Sequence, residues 1–178
     1  MSGRAGAVIW FTGLPASGKS TIARRVAAYL RGRGVSVVVL DGDEVRASMR
    51  PAPGYDDDAR DAFYETLARL AALCASQDLV ALVPATANRR AYRERGRQLG
   101  SRFVEVFVDT PLEECVRRDP KGLYAQAVQD TSLPLPGAGM TYEPPEHPDI
   151  VARPDTDGAI EAIAALALGD ETHFGKEA

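Results

Sequence analysis

The 178-residue sequence predicts an α/β sandwich built on a mostly parallel sheet. Three observations predict it. Strand-like apolar runs alternate with helical patterns along the chain; the runs are apolar at successive positions, as strands covered on both faces require; and the first run leads directly into a glycine-rich turn that opens a helix. Right-handed crossovers then leave few topologies, and ligands of such folds bind at the carboxyl ends of the strands.

Residues 7–12 (AVIWFT) read as the first strand, and a helical pattern runs from about Lys19 to Arg31. A second strand is expected over 35–40 (VSVVVL), ending at Asp41. From Ala59 to Ser76, Phe63, Leu67, Leu70 and Leu73 recur at helical spacing, and LVALVP (79–84) follows as a third strand. An arginine-rich helix over 88–99 precedes the strand FVEVFVD (103–109), and Pro111 suits the start of the next helix. Residues 119–148 hold six prolines and three glycines, a composition hostile to regular structure that reads as a lid or binding loop. A short fifth strand (149–152), a closing helix (157–168) with Asp157 near its N-cap, and a polar tail (169–178) complete the pattern. This length suits one core, so residues 1–178 are expected to form a single domain.

The net charge of −4 argues against nucleic-acid or anionic-membrane partners, while leaving room for a local cationic pocket. No apolar run is long enough to cross a bilayer and no signal-peptide pattern opens the sequence, so a cytoplasmic location is expected. Cys74 and Cys115 sit in apolar, helix-like surroundings and read as small buried hydrophobes. Of 21 basic residues only Lys19, Lys121 and Lys176 are lysines. Where arginine is the default cation, a lysine points to a place that needs a compact charge.

Gly13-Leu14-Pro15-Ala16-Ser17-Gly18-Lys19-Ser20, followed by Thr21, fits the P-loop pattern GxxxxGK[ST] and sits between a strand and a helix, as a true match must. In that pattern the backbone amides wrap phosphates, the lysine reaches the β- and γ-phosphate oxygens, and the serine hydroxyl ligates Mg²⁺. The motif implies nucleotide binding without choosing between a kinase, a GTPase and an ATPase motor. LDGDEVR (40–46) places carboxylates and an arginine at the tip of the second strand. Asp41 and Glu44 read equally as a solvated turn that caps a helix. Asp43 with Arg46 reads as functional, the first near the metal and an attacking hydroxyl, the second on an anionic acceptor.

FTGLPASGKSTIA, LDGDEVR, FVEVFVDTPLEECVRRDPKGLY and YEPPEHPDIV stand in the order and approximate spacing of adenylylsulfate (APS) kinase signatures, and the chain resembles that family over residues 8–168. The resemblance implies a nucleoside-monophosphate-kinase-like fold, a three-layer sandwich with a five-stranded parallel sheet and a lid. It implies transfer of phosphate from ATP to the 3′-hydroxyl of APS, with Mg²⁺ on Ser20 and Asp43. It further implies an acceptor site of Asp43, Arg46, Tyr55 (stacked on the adenine), Arg60 and the lid residue Lys121. Arg118 would close over ATP, although Arg117 and Arg118 read also as a solvated helix end. Homodimers are common in the family.

Three departures concern the acceptor. Phe63, Glu65 and Thr66 stand where the family has an asparagine and two arginines; Thr86-Ala87-Asn88 replaces Ile-Ser-Pro; and Pro134-Leu135-Pro136-Gly137 replaces the aromatic lid segment. Together such losses weaken APS binding by on the order of 2–6 kcal/mol unless neighbouring groups compensate. Phe63, Thr86, Ala87 and Leu135 are therefore expected to line an altered acceptor pocket. APS remains the leading acceptor, with another nucleotide-linked compound such as cytidine diphosphoramidate, or a regulatory domain that binds ATP without catalysis, as the alternatives.

Overall fold

Residues 6–100, 102–130 and 134–169 are described by the structure, a computed structural model. Strand β1 (Ala7–Thr12) leads through the glycine-rich loop into helix α1 (Lys19–Arg31), then β2 (Val37–Val39), α2 (Gly42–Ser48), α3 (Asp57–Ala75) and β3 (Val80–Pro84). After these come α4 (Arg90–Gln98), β4 (Arg102–Val108), α5 (Leu112–Arg118), α6 (Leu123–Gln129), the two-residue strands β5 (Leu135–Pro136) and β6 (Gly139–Met140), β7 (Ile150–Ala152) and α7 (Ala159–Leu168). The main sheet has the order β2-β3-β1-β4-β7 and is parallel at every pairing.

Because successive side chains of a strand point to opposite faces, the apolar run of β1 serves two cores at once. Ala7, Ile9 and Phe11 join α1 and α7 on one face, with Ile22, Val26, Leu30 and Ile163. Val8 and Trp10 join α3 and α4 on the other, with Phe63, Leu67, Tyr92 and Phe103. This three-layer arrangement is the expected P-loop sandwich, with its five parallel strands. β1, flanked by β3 and β4, delivers the phosphate-loop motif to the middle of the sheet's carboxyl edge.

Several boundaries differ from the sequence expectation. β2 keeps only the middle of 35–40. The acidic turn after it is a helix of its own, α2, begun by Asp41, whose carboxylate accepts the Asp43 amide at 3.0 Å. In α3 the buried stripe runs through Phe63, Tyr64, Leu67, Ala68, Ala71 and Ala75, while Leu70 and Leu73 face outward; alanines and a tyrosine fill a face that leucine spacing had suggested. The lid region contains a seven-residue helix, α6, which fits between the prolines rather than across them. α7 is preceded by Gly158 at φ 74 with no side-chain cap, so Asp157 does not cap it. The tail beyond Gly169 lies outside the described residues.

Candidate active site

The loop after β1 is shaped by its glycines. Gly13 has φ 152 and Gly18 has φ 102, and a Cβ at Gly13 would stand 2.5 Å from the Val108 carbonyl oxygen, so no other residue fits there without moving β4. Thr110 Oγ1 donates to the Ser17 carbonyl at 2.8 Å, tying the loop to the end of the same strand. Lys19 folds back into the loop, donating to the carbonyls of Gly13 (3.0 Å) and Leu14 (2.6 Å). Burial strips water from its ammonium and pulls its pKa down to about 8, against the opposing pull of Asp43. A phosphate arriving at the loop would offset that desolvation.

Ser20 opens α1, and its hydroxyl donates to Asp41 Oδ2 at 2.6 Å. The metal pairing read from the sequence joined Ser20 to Asp43; the carboxylate on Ser20 is instead Asp41, 7% exposed, with its second oxygen capping α2. Asp41 thus caps α2 and meets Ser20 at once, and its burial is the signal that the sequence alone lacked. Two hard oxygen donors at the phosphate loop suit Mg²⁺, which takes one or two protein oxygens and completes its shell with water and phosphate. Among the described residues no cluster of three or more His, Cys, Asp or Glu forms an all-protein metal cage.

Asp43 faces the lid. Its Oδ2 accepts from Lys121 Nζ at 2.5 Å, across 78 residues of sequence, and this bond raises the lysine pKa. Both side chains are well exposed, 69% and 60%, so the pair is worth about 0–1 kcal/mol and is readily exchanged for a ligand. The lid also rests on the phosphate loop: buried Tyr124 of α6 donates to the Pro15 carbonyl at 3.1 Å, and Gly137 lies between Leu14 and Leu112. Leu135 is half-buried in β5, and Thr21 is exposed on α1. Arg118 pairs with Glu114 one turn earlier on α5.

Arg46, on the last turn of α2, is 7% exposed and donates to the carbonyls of Pro53 (3.2 Å) and Gly54 (2.6 Å). Its guanidinium carbon lies 3.9 Å from the Phe63 ring centroid and 4.6 Å from that of Tyr55. Arg60 donates to the Tyr55 carbonyl at 2.6 Å and lies 5.5 Å from the Tyr55 ring. The structure therefore brings Arg46, Tyr55, Arg60 and Phe63 together, with Phe63 buried under the arginine and Tyr55 65% exposed above it.

Thr86 and Ala87 follow β3. The Thr86 carbonyl accepts from Thr12 Oγ1 at 2.7 Å, and Thr12 also meets the Tyr142 hydroxyl at 3.0 Å. The Ala87 amide donates to the Tyr64 hydroxyl at 3.0 Å, and its carbonyl accepts from Arg93 at 2.5 Å. Burial raises the pKa of the Tyr64 hydroxyl, which keeps it neutral. Sequence reading missed Tyr64, Tyr124 and Tyr142. Tyr64 and Tyr124 are buried and Tyr142 is half-buried, each with a hydroxyl that reaches a residue distant in sequence, and a tyrosine rather than a phenylalanine at such a position is the one trace the contact leaves.

The family model for adenylylsulphate kinase matches residues 5–153. The chain belongs to that family. It is 38% identical over 171 residues to an adenylyl-sulfate kinase of Synechococcus sp. (strain JA-3-3Ab), a match covering 96% of this chain and 97% of the relative. It is 42% identical over 165 residues to the bifunctional enzyme NodQ of Azospirillum brasilense, where it covers 90% of this chain but 27% of that protein. Thus the chain spans about a quarter of the length of the bifunctional relatives it matches. Among solved structures it resembles the Mycobacterium tuberculosis APS kinase CysC in complex with AMPPNP and APS, with TM-score 0.83, 37% identity, and coverage of 91% and 97% of the two chains. Within this family the parts used by the described site, the phosphate loop, α2 and the Lys121 lid, all lie inside the matched span.

Proposed function

We propose that this protein transfers the γ-phosphate of Mg·ATP to the 3′-hydroxyl of APS. The observation that carries this reading is the convergence of the phosphate loop, Asp43 and Lys121, with the Asp43–Lys121 contact linking α2 to the lid. The loop amides and Lys19 hold the phosphates of ATP, and Arg118 exchanges Glu114 for the nucleotide. Ser20 and Asp41 would hold the Mg²⁺ that accompanies ATP, which would supply charge to offset that on the β- and γ-phosphates. Asp43 aligns the acceptor hydroxyl for in-line attack, Lys121 moves from Asp43 to the acceptor's anionic group, and the lid excludes water. Arg46, Tyr55, Arg60 and Phe63 form the wall against which the acceptor rests, with Thr86, Ala87 and Leu135 at its margins. Residues 1–178 act as one cytoplasmic kinase domain with 119–148 as its lid, and the family's habit makes a homodimer its assembly. Among the described residues no helix is long and apolar enough to cross a membrane.

ADP release measured with ATP and APS tests the reading. Turnover no faster than hydrolysis of ATP alone would overturn APS as acceptor while leaving a kinase. A second reading, transfer to another nucleotide-linked acceptor such as cytidine diphosphoramidate, is motivated by the lid segment Pro134-Leu135-Pro136-Gly137, which offers Leu135 and no aromatic ring to stack on an adenine. Side-by-side turnover of APS and a CDP-linked acceptor separates the two.

A further inference from the structure

Ala87 stands at φ 41, one of three residues other than glycine with positive φ among those described. The left-handed region is unfavourable for such a residue, so it persists only where its surroundings over-determine it. Here they do. Five hydrogen bonds hold the segment 86–88: the Thr86 carbonyl by Thr12, the Ala87 amide by Tyr64, the Ala87 carbonyl by Arg93, the Asn88 side-chain amide by the Thr141 carbonyl at 3.2 Å, and the Asn88 carbonyl by the Glu143 amide at 2.8 Å.

Of these clamps only the Tyr64 hydroxyl comes from α3, the helix that also carries Arg60 and Phe63. Tyr64 is buried, stacks on Tyr92 with centroids 4.6 Å apart, and meets Phe63 edge-on at 5.3 Å. Phe63 in turn lies under Arg46, which holds the 53–54 carbonyls and Tyr55. A continuous chain of contacts thus runs from Ala87 through Tyr64, Phe63 and Arg46 to Tyr55. It joins the segment after β3 to the loop before α3.

We propose that Tyr64 is a positioning residue for the acceptor: its hydroxyl, through the Ala87 amide, fixes the segment 86–88 and couples it to the Phe63–Arg46–Tyr55 wall. This rests on the acceptor-site reading above. It assigns to α3 a role in acceptor affinity that leaves the phosphate loop, Lys19 and the Ser20–Asp41 pair untouched, since Tyr64 touches none of them.

The test is steady-state kinetics of Tyr64→Phe, which keeps the ring stacks and deletes only the hydroxyl. A buried amide left without its acceptor leads us to expect a KM for APS raised roughly tenfold, with kcat and the KM for ATP within about twofold of wild type. In parallel, hydrogen exchange at the Ala87 amide should quicken while the amides of β1 and β3 stay protected. Unchanged KM for APS, or equal losses in kcat and in both KM values, would overturn the proposal. Should Tyr64→Phe fold too poorly to assay, Ala87→Gly, which leaves Tyr64 in place but frees the segment, is expected to give the same split, and an unchanged KM for APS there overturns it. If wild-type protein turns over no APS, the function fails by itself; quickened Ala87 exchange in Tyr64→Phe then still supports the coupling, and unaltered exchange sinks it as well.

Discussion

In the phosphate loop, position is set by main chain: Gly13 and Gly18 adopt angles that few other residues reach, and loop carbonyls receive Lys19. Around Arg46 it is set by side chains, two aromatic rings on either side of a guanidinium and a tyrosine hydroxyl holding a strained alanine. The first kind of construction tolerates almost no substitution but serves any nucleoside triphosphate. The second can be rebuilt one residue at a time. A donor half made of backbone and an acceptor half made of side chains should respond differently to mutation.

The largest expected effect tests the donor half. Lys19→Ala removes the charge inside the loop and should lower kcat by about 10²- to 10³-fold with any acceptor, measured as ADP release. A loss seen with one acceptor and absent with another would break the division. Next, Asp41→Asn keeps a good N-cap for α2 while deleting the charge beside Ser20. The Mg²⁺ concentration for half-maximal rate should rise by about 10- to 100-fold with the helical circular dichroism unchanged. On the acceptor side, Lys121→Ala should raise the KM for the acceptor by about tenfold, the scale of one charge-assisted hydrogen bond. It should leave the melting temperature nearly in place, because its exposed pair with Asp43 adds so little.

The smallest effect sharpens the boundary. Glu65 pairs with Arg69 at 2.6 Å and with Arg95 at 3.7 Å on the helix surface. Arg95 also grips Asp61, as Arg89 grips Asp57, so the arginine-rich α4 is laced to α3 by ion pairs. Glu65→Ala is expected to cost about 0.5 kcal/mol in urea unfolding and to leave all kinetic constants alone. A changed KM for APS would move Glu65 into the acceptor wall.

The same contrast explains what could be read in advance. The order of strands and helices was legible because each strand is apolar at successive positions and each long helix repeats its apolar face. The end of β1 and the start of α1 were readable closely, since the P-loop pattern fixes the junction between them. The motif also named Lys19 and Ser20. Asp41 stayed ambiguous because capping and ligating carboxylates look alike until burial is known. α6 was hidden by the prolines around it, and α2 by its brevity. Tyr64, Tyr124 and Tyr142 were invisible as site residues, because each acts through a contact spanning 23 to 130 positions of chain, which local periodicity does not encode.

One glycine carries a consequence for the far end of the chain. A Cβ on Gly18 would lie 2.3 Å from Pro154 Cγ, and the Pro154 carbonyl is itself held by Arg25 of α1 at 2.8 Å. The family model stops at residue 153, so the proline that buttresses the phosphate loop stands just past the span by which the family is recognised. A chain cut there would retain every matched position and still lose this buttress together with α7, whose Ile163 completes the core on the α1 face of the sheet; a boundary drawn from family matching alone would stop short of the last core helix.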